Sequence, residues 1–292
     1  MAAGNSKYKD RLFCFLFGAE ENKAWTLSLY NAINGTNYRD PSVIEITTIK
    51  EIMYLGMQND ISFLMITDEM NLFEQQSTYN PNEPLRMMQY TGNLFEKYIR
   101  QRKLNKYGSK LLMLPAPRLV VFFNGTSEQP DEMILRLSDS FPKGSVSDIE
   151  VRIRMININY GRSQKLMEAC KPLMEYSWLI AEVRKNKQDK EVEIGSAIDK
   201  AITAMPDDFV IKPFLEANSA KVKGMLLEEY NEAETMELFR EEGREEGQKD
   251  MALNLYRAGI PVENIAQYAE VSVEQVKKWI FSDVPEQEPL AG

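Results

Sequence analysis

The stretch "NDISFLMITDEMNLFEQQSTYNPNEPLR", residues 59–86, decides how this chain is read. An apolar run begins after Asp60, turns at Thr67-Asp68-Glu69, and returns from Met70 to Ser77. Two such runs around a tight polar turn predict an antiparallel pair of strands over 61–67 and 70–77. Side chains alternate along a strand, so Met70, Leu72, Glu74 and Gln76 share one face. Glu74 and Gln76 thus stand among residues built for burial, and buried polar groups need partners or a purpose. With the turn centred on Asp68, Asp60 lies opposite Gln76 and diagonal to Glu74. A two-residue turn at Asp68-Glu69 would shift the parity and separate them, unless a bulge restored it. Asp60 and Glu74 brought together would repel unless a divalent cation lay between them. On spacing alone, a turn role for Asp60 and a Glu74–Arg ion pair remain open beside the metal site.

Outward from this hairpin, the chain divides by pattern. Residues 20–34 carry Trp25, Leu27, Leu29, Tyr30 and Ile33 at mostly helical spacing and stop at Gly35. "SVIEITTI" is strand-like, and "RLFCFLF" at 11–17 reads as a buried helix or strand. After Pro81, "EPLRMMQYTGNLFEKYIRQRK" forms a long helix with Pro84 in its first turn, where a missing N–H is harmless. "RLVVFFNG", 118–125, is a buried strand, and "EVRIRMININYG", 150–161, alternates as a strand does. Beyond it the character is helical: Gln164 to Lys185, Ile194 to Met205, and Ala217 to Glu246. The last relaxes into "REEGREEGQ", a solvated helix, a linker or an oligomerising stalk. The tail, 249–281, contains three short helical pieces, with Gly259 stopping the first and Pro261 opening the second. Ser272 and Gln275 form a capping box for the third. Its outline fits a helix-turn-helix or a small three-helix packing unit.

Composition limits the chemistry. The 292 residues contain no histidine, which removes Ser-His and Cys-His mechanisms and imidazole zinc sites. Cys14 and Cys170 stand far apart and support neither a thiolate metal site nor a disulfide framework. Hydrolytic chemistry would fall to carboxylates, amides, amines or hydroxyls, and carboxylates favour hard ions such as Mg²⁺. No run approaches the roughly 18–20 apolar residues of a membrane span. The first residues lack the apolar core of a secretory signal, so a cytoplasmic location is expected. The net charge of −9 is uneven: residues 86–118 hold eight basic side chains against Glu96 alone, whereas 216–250 hold eleven acids against five bases. The basic stripe is either a phosphate-binding surface or a solvated helix face.

The run "NDISF…NLFEQQSTYNPNEPLRMMQY…LFEKYI", with "LPAPRLVVFFNG" and "ININYGRSQKLMEACKPLMEYSWLI", resembles the PD-(D/E)XK nuclease superfamily. Within it, the chain is most similar to the recombination-promoting nuclease/transposase branch, over residues 10–185. The resemblance implies an α/β, restriction-endonuclease-like core: a mixed sheet flanked by helices over 10–185. A charged helical extension (186–248) and a small, helix-turn-helix-like tail (249–281) form the α-helical C-terminal extension. It implies a catalytic set of Asp60, Glu74 and Gln76, with Mg²⁺ or Mn²⁺ held by Asp60, Glu74 and the backbone carbonyl of Gln75. Gln76 stands where the superfamily most often has Lys; its amide would orient a water and donate to phosphate. Glu20 or Glu21 could add a carboxylate, or could simply complement a helix N-terminus. Arg86, Arg100, Arg102 and Lys103 are the candidates for holding the DNA backbone. The expected activity is Mg²⁺-dependent DNA cleavage linked to recombination or mobile elements, with no membrane and with homo-oligomers through the C-terminal helices. The alternative is a DNA-binding or assembly protein that keeps the fold without cutting.

Overall fold

The computed structural model describes residues 12–47, 61–65, 68–188 and 192–283. In chain order its elements begin with α1 (Leu12–Phe17), α2 (Lys23–Asn34), β1 (Ile44–Ile46), β2 (Ile61–Met65) and β3 (Glu69–Gln76). Next come α3 (Glu83–Gln101), β4 (Ala116–Phe123), β5 (Glu132–Arg136) and β6 (Arg152–Asn157). Helices α4 (Gln164–Ala169), α5 (Lys171–Lys187), α6 (Ile194–Thr203) and α7 (Lys212–Ala217) follow. The last are α8 (Ser219–Arg257), α9 (Val262–Tyr268) and α10 (Val273–Asp283). The chain divides into two compact units, up to Tyr230 and from Asn231.

The first unit is an α/β structure around a mixed sheet of order β1-β2-β3-β4-β6-β5. The hairpin β2–β3 is antiparallel, as the alternating runs predict. Its register differs from a turn centred on Asp68, which would set Ile61 opposite Gln75. Ile61 faces Phe73 instead, two residues away, so the parity of faces is preserved. Strand β3 then pairs in parallel with β4, and β4 with β6. A parallel pair needs a crossover, and α3 supplies it between β3 and β4. The central strands are covered on both faces, which is why β3 reads as an almost continuous buried run.

The two faces have separate cores. Phe63, Phe73 and Phe122 pack against α1, α2 and α5, where Phe13 and Tyr176 join an aromatic cluster with ring centroids 5.1–5.7 Å apart. Leu72, Val121, Phe123 and Met155 pack beneath Met87, Tyr90 and Leu94 of α3. The first of these cores runs well beyond residue 185: Ile198, Ile202, Phe209, Leu215, Val222 and Leu226 belong to it. The expected extension therefore begins inside the first unit, because α6, α7 and the start of α8 present apolar stripes that the sheet layer buries. Glu175, fully buried on α5, fastens this addition by accepting the Val210 and Ile211 N–H groups at 2.9 Å each.

Three details depart from the pattern of the sequence. The helix expected over Gln164–Lys185 is two helices, α4 and α5, broken at Cys170. Pro172 lacks an N–H, so it fits the first turn of α5 and not the middle of a longer helix. Strand β5, an edge strand with exposed Glu132, Ile134 and Arg136, gave no clear alternation of burial-prone residues. Gly125 is required for space and not for an unusual φ: a Cβ there would lie 1.9 Å from the Ser77 carbonyl oxygen. That close approach ties the ends of β3 and β4 together.

In the second unit, α8 runs as helix through Gly243 and Gly247 to Arg257, so "REEGREEGQ" is helical backbone. Ala252, Leu253, Ile265, Ala266, Val276, Trp279 and Ile280 form its small core. Gly259 adopts φ +83° after the first helix, and the Gln275 N–H donates to Ser272 Oγ at 3.1 Å, capping α10.

Candidate functional site

The C-terminal end of β3 carries three consecutive buried polar residues, Glu74, Gln75 and Gln76. Alternation sends them to opposite faces. Gln76 and Glu74 turn toward α3, whose first residue is Glu83 and which follows after only residues 77–82. The short link brings the start of α3 back over the strand end. Glu83, Arg86 and Tyr90, spaced three and four apart, occupy one stripe of that helix and meet the strand's polar pair.

One guanidinium organises the cluster. Arg86 Nη2 donates to Glu74 Oε1 at 2.5 Å and to Tyr90 Oη at 3.0 Å, while Nη1 donates to Glu83 Oε2 at 2.7 Å. Gln76 Nε2 donates to the same Glu83 oxygen. The side chains of Glu74 and Glu83 are 4% and 0% exposed and that of Arg86 is 38%, so the cation covers the acids on the solvent side. Burial opposes the charge on Arg86, but Glu74 and then Glu83 outweigh it and hold the guanidinium more firmly protonated than usual. Burial, followed by the Glu74 charge, raises the Tyr90 hydroxyl above its ordinary value. Glu83 is the first residue of a long helix, where the positive end of the backbone dipole supports a carboxylate. Its Oε1 is buried without a hydrogen-bond partner among the described residues.

Gln75 points the other way, into a neutral chain. Its Nε2 donates to Asn124 Oδ1 at 2.6 Å, and Asn124 Nδ2 donates to Tyr176 Oη at 3.1 Å. Arg184 closes this side by donating to the Asn124 carbonyl and, at 2.8 Å, to Asn159 Oδ1. The Gln75 side chain therefore lies on the opposite face from Glu74, which leaves only its backbone for any role beside that acid.

Comparison with protein-family models, with curated proteins and with solved structures returned no match. The site stands on its own geometry.

The structure brings together Glu74 and Gln76. Asp60 lies outside the described residues, and β2 is described from its neighbour Ile61, which faces Phe73. Glu20 and Glu21 form a short turn leading into α2, and Glu20 pairs with Lys23 at 2.7 Å. Among the described residues no group of three or more acids or cysteines converges as a metal cage. The four basic candidates separate. Arg86 is committed to the two acids, while Arg102 pairs with exposed Glu45 at 2.9 Å and stacks near Tyr98. Arg100 and Lys103 are exposed and form no ion pair with a described residue. Elsewhere in the stripe, Lys97 donates to the Thr47 carbonyl, Lys106 pairs with Glu96, and Arg118 pairs with Glu69.

Glu83, Tyr90, Asn124 and Tyr176 were not singled out from the sequence. For the first two a signal existed: Glu83, Arg86 and Tyr90 share a helical stripe that otherwise holds Met87 and Leu94, so a charged pair there breaks an apolar face. Asn124 and Tyr176 are 52 residues apart and meet only because α5 packs on the sheet.

Proposed function

We propose that the chain is a Mg²⁺-dependent DNA endonuclease, with Mn²⁺ as a substitute ion, of the kind associated with recombination or mobile elements. The observation that carries this reading is the pairing of two buried carboxylates, Glu74 and Glu83, with a single guanidinium at a strand end. That cluster holds one uncompensated negative charge in a low-dielectric setting, an arrangement stability alone does not favour. The buried, partnerless Glu83 Oε1 adds an oxygen donor of the hard type that Mg²⁺ takes. On these counts the residues fit a divalent ion, which would be held by Glu74, by Asp60 as the resemblance implies, and by the Gln75 carbonyl. Such an ion polarises the scissile phosphate and makes its bound water a nucleophile near neutral pH.

The chain's own residues then have definite tasks. Gln76 cannot take a proton, but its amide, now donating to Glu83, can orient the attacking water. Arg86 offers a planar fork matched to a phosphate. Water oxygen attacks phosphorus, the P–O bond to the leaving sugar breaks, and the water proton passes to solvent or a nearby carboxylate. Exposed Arg100 and Lys103, with Arg102, supply cations for the DNA backbone away from the cluster.

The Arg86 ion pairs also favour a second reading, a DNA-binding or assembly protein that keeps the fold and does not cut. Incubating the full chain with supercoiled plasmid and Mg²⁺ or Mn²⁺ separates the two. Cleavage by wild type that falls about 100-fold or more in Glu74→Gln supports the nuclease. Cutting by neither protein, with DNA still bound, leaves the second reading.

A further inference from the structure

The guanidinium that neutralises Glu74 occupies the solvent side of an acid that, under the reading above, must hold a metal ion. We propose that Arg86 is a resident counter-cation which a divalent ion has to displace from Glu74, with Glu83 as the anchor that keeps the displaced guanidinium beside the site. Arg86 and Glu83 are then positioning residues of the cation site. The inference rests on the proposed function and adds to it the way the site is held before metal arrives.

Three features of the cluster support the exchange. First, exposure is graded: the side chain of Arg86 is 38% exposed over carboxylates that are 4% and 0% exposed, so an ion entering from solvent meets the guanidinium first. Secondly, the two contacts are unequal in kind. Glu83 and Arg86 lie three residues apart on the same helix and stay neighbours whatever the strand does, whereas Glu74 belongs to β3. Turning the guanidinium away from Glu74 breaks its 2.5 Å contact with Oε1 and the 3.0 Å contact with Tyr90, and need not break the one with Glu83. Thirdly, charge decides the occupant. Two acids with Arg86 carry a net −1; adding a divalent ion with Arg86 in place makes the cluster +1, while exchanging one for the other makes it neutral. In a buried site the neutral arrangement is favoured, because unit charges about 4 Å apart interact by about 4 kcal/mol even at a protein-like effective dielectric. The freed guanidinium is left at the mouth, where a phosphate supplies the negative charge it has lost.

The test is Mn²⁺ binding to the full chain without DNA, measured by calorimetry and by the electron paramagnetic resonance of free Mn²⁺. Wild type, Glu74→Gln, Glu83→Gln, Arg86→Met and Arg86→Lys are compared, each checked by a thermal melt. Arg86→Met should bind Mn²⁺ at least about tenfold tighter than wild type through a site that Glu74→Gln removes. Glu83→Gln should bind more weakly, since Arg86 then has Glu74 as its sole carboxylate partner. Arg86→Lys, which keeps the charge but reaches one acid at a time, should fall between Met and wild type, and it carries the test if the Met variant does not fold. A second readout is chemical: Mn²⁺ should speed modification of Arg86 by phenylglyoxal in wild type, as read by mass spectrometry. Glu74-dependent binding in wild type that is unchanged or weaker in both Arg86 variants overturns the exchange and leaves the metal reading standing. Absence of Glu74-dependent binding in every variant overturns the metal reading and the exchange together. Binding that appears only once Arg86 is replaced supports the exchange in its strongest form.

Discussion

Adjacent residues of one buried strand end satisfy their polar groups in opposite ways. Toward α3, Glu74 and Gln76 join Glu83 and Arg86 in a charged cluster; toward α5, Gln75 joins Asn124 and Tyr176 in a neutral one. Both sites are buried, and both are built from a strand residue and a helix residue. The neutral chain uses donors and acceptors that match one to one, which fixes the end of β3 against β4 and α5. The charged cluster keeps more acid than base. Neutral side chains of similar size would fill such a space without the desolvation of three ions. The difference teaches where this fold holds charge that packing does not require.

The comparison can be broken most directly at Arg86. Arg86→Met leaves two buried carboxylates facing each other and should cost about 2–4 kcal/mol, the lower part of the range for breaking a buried ion pair because Arg86 is partly solvated. Replacing all three charges together, Glu74→Gln, Glu83→Gln and Arg86→Met, should recover most of that loss. Denaturant unfolding of both proteins checks the pair of expectations. A triple variant as unstable as Arg86→Met alone would mean that the charged cluster is structural after all.

On the neutral side, Asn124→Ala strands the Gln75 amide and the Tyr176 hydroxyl in the core and should cost about 2–3 kcal/mol. Here no second substitution of charge should rescue it, and Mn²⁺ or Mg²⁺ should leave its melting temperature displaced by the same amount. Tyr176→Phe removes one end of the chain and keeps the ring that packs on Phe13, so a smaller loss of about 1 kcal/mol is expected in the same unfolding experiment.

The smallest effect sits at the other end of β3, where Glu69 carries a charge near solvent. Burial resists ionisation there, but Tyr30 Oη at 2.6 Å and Arg118 outweigh it and hold the carboxyl below the ordinary glutamate value. A depressed folded-state value means that Glu69 stabilises the protein above the ordinary glutamate range and loses that contribution as pH falls through the folded value. Tyr30→Phe should therefore lower the melting temperature slightly near pH 7, by less than about 1 kcal/mol in stability. The gap from wild type should close in acid. A gap that is constant from pH 7 to pH 3 would place the effect in packing of the ring.

Much of the sheet was legible because its signals are local. The period-two run of β3, the polar turn before it, and the Pro84 that opens α3 each follow from residues within a few positions of one another. The pairing of Glu74 and Gln76 on one face needed nothing more than alternation. Strand β5 gave little signal because an edge strand buries only part of one face, and α7 because six residues hold too few turns for a period to show. The helix over 164–187 was read through Cys170 because the apolar period continues across the break and Pro172 marks it only by a missing donor.

By itself the sequence determined that this chain has no imidazole or paired-thiol chemistry, that its polar strand end faces the helix beginning at Glu83, and where that helix starts. Those are properties of composition and of neighbours along the chain. Only the tertiary structure decided that Glu83 lies fully buried against Gln76, that Arg86 is spent on two acids and is not simply part of a solvated basic stripe, and that Gln75 closes a chain through Asn124 and Tyr176. Whether a cation meets an acid or a phosphate depends on which surfaces the crossover and the helical layer bring within a hydrogen bond's reach. That distance is set by packing, and no local pattern records it.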